Sequence, residues 1–113
     1  MVIDAASLEA HIQELRRGTV VLACLVVLRE PEYGYALLER LAGLGFPVDA
    51  NTLYPLLRRL EKQELLTSDW NTDEARPRKF YRTTKDGDEL AGLLIQDWNT
   101  LRSSISNLEG ETK

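Results

Sequence analysis

Apolar residues recur along this chain with a helical period almost everywhere, and with a period of about two only in a short stretch after Lys62. Leu8, Ile12 and Leu15 mark a first amphipathic helix that runs up to Arg16 and Arg17. Its N-cap is Ser7 or Asp4, with Glu9 where a carboxylate suits the helix dipole. A reciprocal capping box is missing, because Ala10 stands where its Glu or Gln would be. Thr19 to Leu28 is apolar on nearly every side, which predicts a central buried helix ended by Pro31. Gly18 either closes the first helix or lies inside one helix continuous through Leu28; continuity is the expectation.

Tyr33-Gly34-Tyr35 opens the next helix, whose apolar side is Leu37, Leu38 and Leu41 and which Gly43, Gly45 and Pro47 stop. Asp49 then caps a helix from Ala50 to Lys62. Pro55 lies past its first turn and leaves one carbonyl without its usual partner, which predicts a slight bend. Leu65 to Trp70 and Lys79 to Thr83 are β-branched or aromatic runs separated by a polar loop, the layout of a hairpin. Thr84 caps a last helix in which Leu90, Leu94, Trp98, Leu101, Ile105 and Leu108 form a heptad-like seam. So small a domain cannot bury that seam, so a partner chain is expected to cover it. The tail from Gly110 to Lys113 is expected to fray.

Within the helix from Ala50 to Lys62, Leu53, Leu56, Leu57 and Leu60 fall within about 100° of one another. Asn51, Pro55, Arg58 and Lys62 gather on the opposite side, flanked by Tyr54 and Arg59. One face is built for the interior and the other for nucleic acid, with Asn51, Thr52 and Tyr54 at the groove-facing end. Downstream, Arg76, Arg78 and Lys79 sit at the tip of the predicted hairpin. A helix followed by a basic hairpin predicts a winged helix, so the expected fold is mainly α with a small β-hairpin wing. The chain reads as a single domain over 1–113, with a winged helix-turn-helix over 16–84 and a C-terminal dimerisation helix over 85–109.

The net charge of −4 opposes nucleic-acid binding only as a sum. From Asn51 to Lys85 eight Lys or Arg face five acids, a balance of +3, whereas the rest of the chain holds six against thirteen, a balance of −7. Phosphate attraction depends on the field of one face, screened beyond roughly 8–10 Å. The single cysteine, Cys24, lies in the apolar run Val20 to Leu28, as a small core residue would, and with one His there is no metal-ligand set. That run is far too short to cross a membrane and the N-terminus carries no basic signal region, so a cytoplasmic protein is expected. Catalysis has little support: His11 has no partner set, the serines have no evident base, and Asp73 and Glu74 lie in a loop. No cofactor is implied.

Thr52-Leu53-Tyr54-Pro55-Leu56-Leu57-Arg58-Arg59-Leu60-Glu61 resembles the recognition-helix signature of the PadR family of bacterial transcriptional regulators. Leu15-Arg16-Arg17-Gly18-Thr19, Tyr33-Gly34-Tyr35, Arg78-Lys79-Phe80-Tyr81 and Tyr81-x-x-Thr84-x-x-Gly87 match in order, over nearly the whole chain. The lone last helix resembles the compact subfamily that includes multidrug-sensing repressors. The resemblance implies a homodimer bound to a double-stranded operator, in which Leu90, Leu94, Leu101, Ile105 and Leu108 pack against the partner's Leu8, Ile12 and Leu15. It also implies a planar aromatic effector at the dimer centre, with Trp98 stacking on it and Gly18, Val21, Leu22 and Arg102 facing the same space. Dimer-core packing of Trp98 is the other reading, while Trp70 is expected to pack under the hairpin. A second functional class, a winged helix for protein association without DNA, fits the low pI near 5.0.

Overall fold

The computed structural model describes residues 2–73 and 75–111. They form α1 (Ala5–Arg16), α2 (Thr19–Val27), β1 (Glu32–Tyr33), α3 (Gly34–Gly43), α4 (Ala50–Lys62), β2 (Leu66–Asn71), β3 (Arg78–Thr83) and α5 (Lys85–Glu111). Asp4 caps α1, its Oδ1 accepting from the Ser7 amide at 2.7 Å. The expected continuity through Gly18 is wrong: Gly18 adopts φ 90°, and α2 starts afresh at Thr19. A left-handed residue costs glycine little, so the chain turns there at small expense. The turn lets α2 enter the interior while α1, with no buried residue, swings away from it.

The sheet has three strands in the order β1-β3-β2, one more than the expected hairpin. Tyr33 belongs to β1, paired with Phe80, and α3 begins only at Gly34. The hairpin itself runs in register from Leu66 opposite Thr83 to Asn71 opposite Arg78, so both strands reach one residue nearer the tip than the pattern indicated.

Cys24, Leu25, Leu28, Leu37, Leu41, Leu53, Leu57, Leu60 and Leu66 are fully buried and make one core between α2, α3, α4 and the sheet. Burial pushes the Cys24 thiol up to about 12, which leaves it no thiolate chemistry near neutral pH. Thr83 closes the C-terminal end of α2: its Oγ1 donates to the Leu25 carbonyl at 2.7 Å and its amide to that of Leu28 at 2.7 Å. Thr84 caps α5 by accepting from the Gly87 amide at 3.0 Å, while its hydroxyl donates to the Glu64 carbonyl at 2.7 Å. Gly87 packs so closely that a Cβ there would lie 2.1 Å from the Leu65 carbonyl oxygen.

Past Leu94, α5 leaves the body: its 27 residues make a rod of about 40 Å. The radius of gyration is consequently 17.1 Å, against about 13 Å for a compact chain of this size. The expected fraying is absent at Gly110 and Glu111, which continue the helix; Thr112 and Lys113 lie outside the described residues, as does Glu74.

Candidate nucleic-acid interface

Asp49 starts α4 by accepting from the Thr52 amide at 2.8 Å, and the helix runs uninterrupted through Pro55. Its two faces separate as the leucine spacing requires. Leu53, Leu57 and Leu60 are buried, whereas Asn51, Thr52, Arg58, Arg59 and Lys62 are exposed along the outer side. Tyr54 departs from the groove-facing position expected of it. Its ring is half-buried against α3, where a Cβ on Gly34 would lie 2.6 Å from Tyr54 Cε1. The glycine between Tyr33 and Tyr35 is therefore the seat of the α4 tyrosine, a pairing of distant motifs that neither stretch discloses alone.

On the wing, Arg76 and Arg78 are exposed, and the Arg78 guanidinium lies 3.9 Å from the centre of the Tyr33 ring. Tyr33 meets Phe80 edge to face at 6.0 Å and accepts from Asn71 Nδ2 at 2.8 Å, so it anchors the wing from β1. Sequence reading missed this role; the available signal was an aromatic residue two positions after Pro31, which ends the preceding helical stretch. Lys79 turns back to the body, with its Nζ 3.3 Å from Glu61 Oε1. The other oxygen of Glu61 accepts a short hydrogen bond from Ser68 Oγ. The Ser68 hydroxyl, and after it Lys79, hold the Glu61 carboxyl below its ordinary range despite partial burial.

Trp70 does not pack under the hairpin as expected; it is 62% exposed. On its strand face Leu66 reaches the core and Ser68 reaches α4, but Trp70 lies one step further out, opposite Lys79, where the body has ended.

A second surface lies between α1, α2 and the distal part of α5. It borders an open cleft of ≈ 820 Å³ lined by Leu22, Trp98 and Arg102 among others, whereas Gly18 and Val21 are not in its wall. Val21 packs on the core instead, because the turn at Gly18 sets the register of α2 separately from α1. Arg102 lies 5.5 Å from the centre of the Trp98 ring, and the charged residues of the wall are Arg16, Arg17 and Arg102, with no carboxylate. Leu8, Ile12, Leu15, Leu101, Ile105 and Leu108 are exposed. Leu90 and Leu94 are half-buried on their own chain's core, since they precede the point where α5 leaves the body.

No helix among the described residues is long and apolar enough to cross a membrane. Comparison with known proteins gives a consistent result. The crystal structure of a PadR family transcriptional regulator from Eggerthella lenta is similar with a TM-score of 0.85 and 48% identity, covering 89% of this chain and 90% of that one. A PadR-like transcription factor from Bacteroides fragilis gives a TM-score of 0.73 at 29% identity, covering 88% of this chain and 98% of its own. The transcriptional regulator Rv3488 of Mycobacterium tuberculosis is 37% identical over 76 residues, which cover 66% of this chain and 71% of that protein. Residues 21–92 match the family described as the transcriptional regulator PadR-like family, to which this chain belongs.

Proposed function

We propose that the chain is a homodimeric, effector-responsive repressor that binds a palindromic operator. Membership of the family makes DNA its partner, and the reading as an association module without DNA is dropped. The observation that carries the proposal is the division of α4, buried leucines on one side and exposed Asn51, Arg58, Arg59 and Lys62 on the other. In this reading α4 enters a major groove, the wing lies against the backbone with Arg76 and Arg78, and twofold symmetry sets half-sites about 34 Å apart. The cytoplasm is the compartment it implies.

Dimerisation is supported by α1, a helix of 12 residues with no buried side chain. Isolated helices of about 12–15 residues are marginal in water, so α1 needs a covering surface. The exposed stripe of Trp98, Leu101, Ile105 and Leu108 on a second copy supplies one. An effector bound beside Trp98 would then alter the separation of the two α4 helices and lower operator affinity, a reciprocal coupling. Three arginines without a carboxylate favour a planar aromatic anion over a cationic drug.

The test is a salt titration on a duplex that the protein enriches from a random-sequence pool. Arg58→Ala is expected to lower the slope of log K against log salt by about one if it neutralises a phosphate, or to cost about 1–3 kcal/mol at one position if it reads a base. No change in either sinks the assignment of α4. For the effector, an aromatic carboxylate should quench the tryptophan emission of the parent more than that of Trp98→Phe, with Trp70 retained; equal quenching removes Trp98 from the site.

A further inference from the structure

The contact between the recognition helix and the wing carries an assignment beyond the DNA-facing residues. Glu61 lies in the last turn of α4, one turn from Arg58 and next to Lys62, on a surface whose task in the reading above is to meet phosphate. A carboxylate there opposes DNA unless its charge is used elsewhere. It is used on the wing: one oxygen accepts from Ser68 of β2 and the other lies 3.3 Å from Lys79 Nζ of β3. Ser68 pairs with Tyr81 and Trp70 pairs with Lys79, so Ser68 and Lys79 are diagonal neighbours on the sheet face turned to α4. A single carboxylate thus grips both strands at mid-wing, beyond the last residues of the shared core, Leu66 and Tyr81. Further out on this face Trp70 is exposed, and the last pair, Asn71 and Arg78, is held from the opposite face by Tyr33 of β1.

We propose that Glu61 is a positioning residue for DNA binding, a clamp that fixes the wing's angle to α4 so that both meet one duplex, and that Lys79 serves this clamp instead of contacting phosphate. The proposal rests on α4 and the wing being the DNA surface. It assigns the side-chain charge of the half-buried Lys79 to the Glu61 carboxylate of α4 in place of phosphate.

The decisive comparison is Glu61→Ala with Glu61→Gln on the enriched duplex, by affinity and hydroxyl-radical footprinting. Both variants remove the same negative charge from the DNA side, but only Gln keeps oxygen and nitrogen atoms with which Ser68 and Lys79 can bond. We expect Glu61→Ala to bind about tenfold more weakly than Glu61→Gln, the equivalent of one charge-assisted hydrogen bond. Its footprint should lose the flanking protection due to the wing and keep the central protection due to α4. Equal behaviour of the two variants would mean that charge alone matters and would overturn the clamp, as would uniform loss of both parts of the footprint. Should Glu61→Ala fail to fold by circular dichroism, Ser68→Ala removes one arm only and must show the same selective loss, reduced in size. Arg58→Ala is the control for the underlying reading: if it changes neither the salt slope nor the affinity, α4 is not the DNA surface, a failure separable from that of the clamp.

Discussion

Two leucine stripes in this chain look alike in sequence and end differently. Leu53, Leu57 and Leu60 of α4 are 0%, 0% and 1% exposed, sealed by α2, α3 and the sheet. Leu101, Ile105 and Leu108 of α5 are 53%, 45% and 65% exposed. The difference lies in geometry: α4 is bracketed on both sides by short connections that fold elements over it, whereas α5 is a straight rod longer than the body beneath it. Helical periodicity therefore tells which face is apolar and leaves open whose chain covers it. The sealed stripe sets stability of the single chain. Leu57→Ala is expected to cost about 2–5 kcal/mol, read as a fall in the denaturant midpoint. A loss below about 1 kcal/mol would mean that the α4 core tolerates a void and that the contrast between the stripes is overstated.

The open stripe should respond in the opposite way. Leu101→Asp places a charge on a face that the proposed partner covers, and burial of each leucine contributes about 1.5–3 kcal/mol. We expect the dimer dissociation constant to rise at least tenfold, about 1.4 kcal/mol or more, by analytical ultracentrifugation. Thermal stability of the parent should increase with protein concentration, and that of Leu101→Asp should not. A parent that sediments as a monomer at micromolar concentration would remove the dimer and leave the α5 stripe to some other cover.

Reading the sequence succeeded where a signal is local. The α4 faces, the Asp49 cap, the Thr84 cap and the buried Cys24 each follow from residue type and spacing within a few positions. It failed where the deciding contact is long-range. The pairing of Lys79 with Glu61, 18 residues earlier, is invisible in a linear reading. Tyr54 looked groove-facing because Gly34, the only residue type that admits its ring, lies on another helix. Trp70 looked buried because aromatic residues in strands usually are, yet its position along the strand carries it past the end of the body. Gly18 was ambiguous for a different reason, since glycine inside a helix and glycine ending one leave the same letter.

The smallest expected effect belongs to the sealed region, where strain can be tolerated because packing over-determines the backbone. Both α3 and α4 end in the same capping arrangement. Gly45 has φ 94°, its amide donates to Ala42 at 3.2 Å and the Phe46 amide to Leu41 at 2.8 Å. Glu64 has φ 62°, its amide donates to Glu61 at 2.9 Å and the Leu65 amide to Leu60 at 2.9 Å. The left-handed residue of this motif is usually glycine, as at 45, and a side chain there costs about 1–2 kcal/mol. Glycine in turn loses about 0.4–1 kcal/mol more entropy on folding. Glu64→Gly should therefore stabilise the chain by about 0.5–1 kcal/mol, a rise of a few degrees in Tm. The Thr84 hydroxyl bonds the carbonyl of residue 64, not its side chain, so the α5 cap survives the substitution. A fall in Tm would mean that the exposed Glu64 side chain contributes more than its backbone costs, and that the turn from α4 into the wing is fixed by more than its hydrogen-bonded cap.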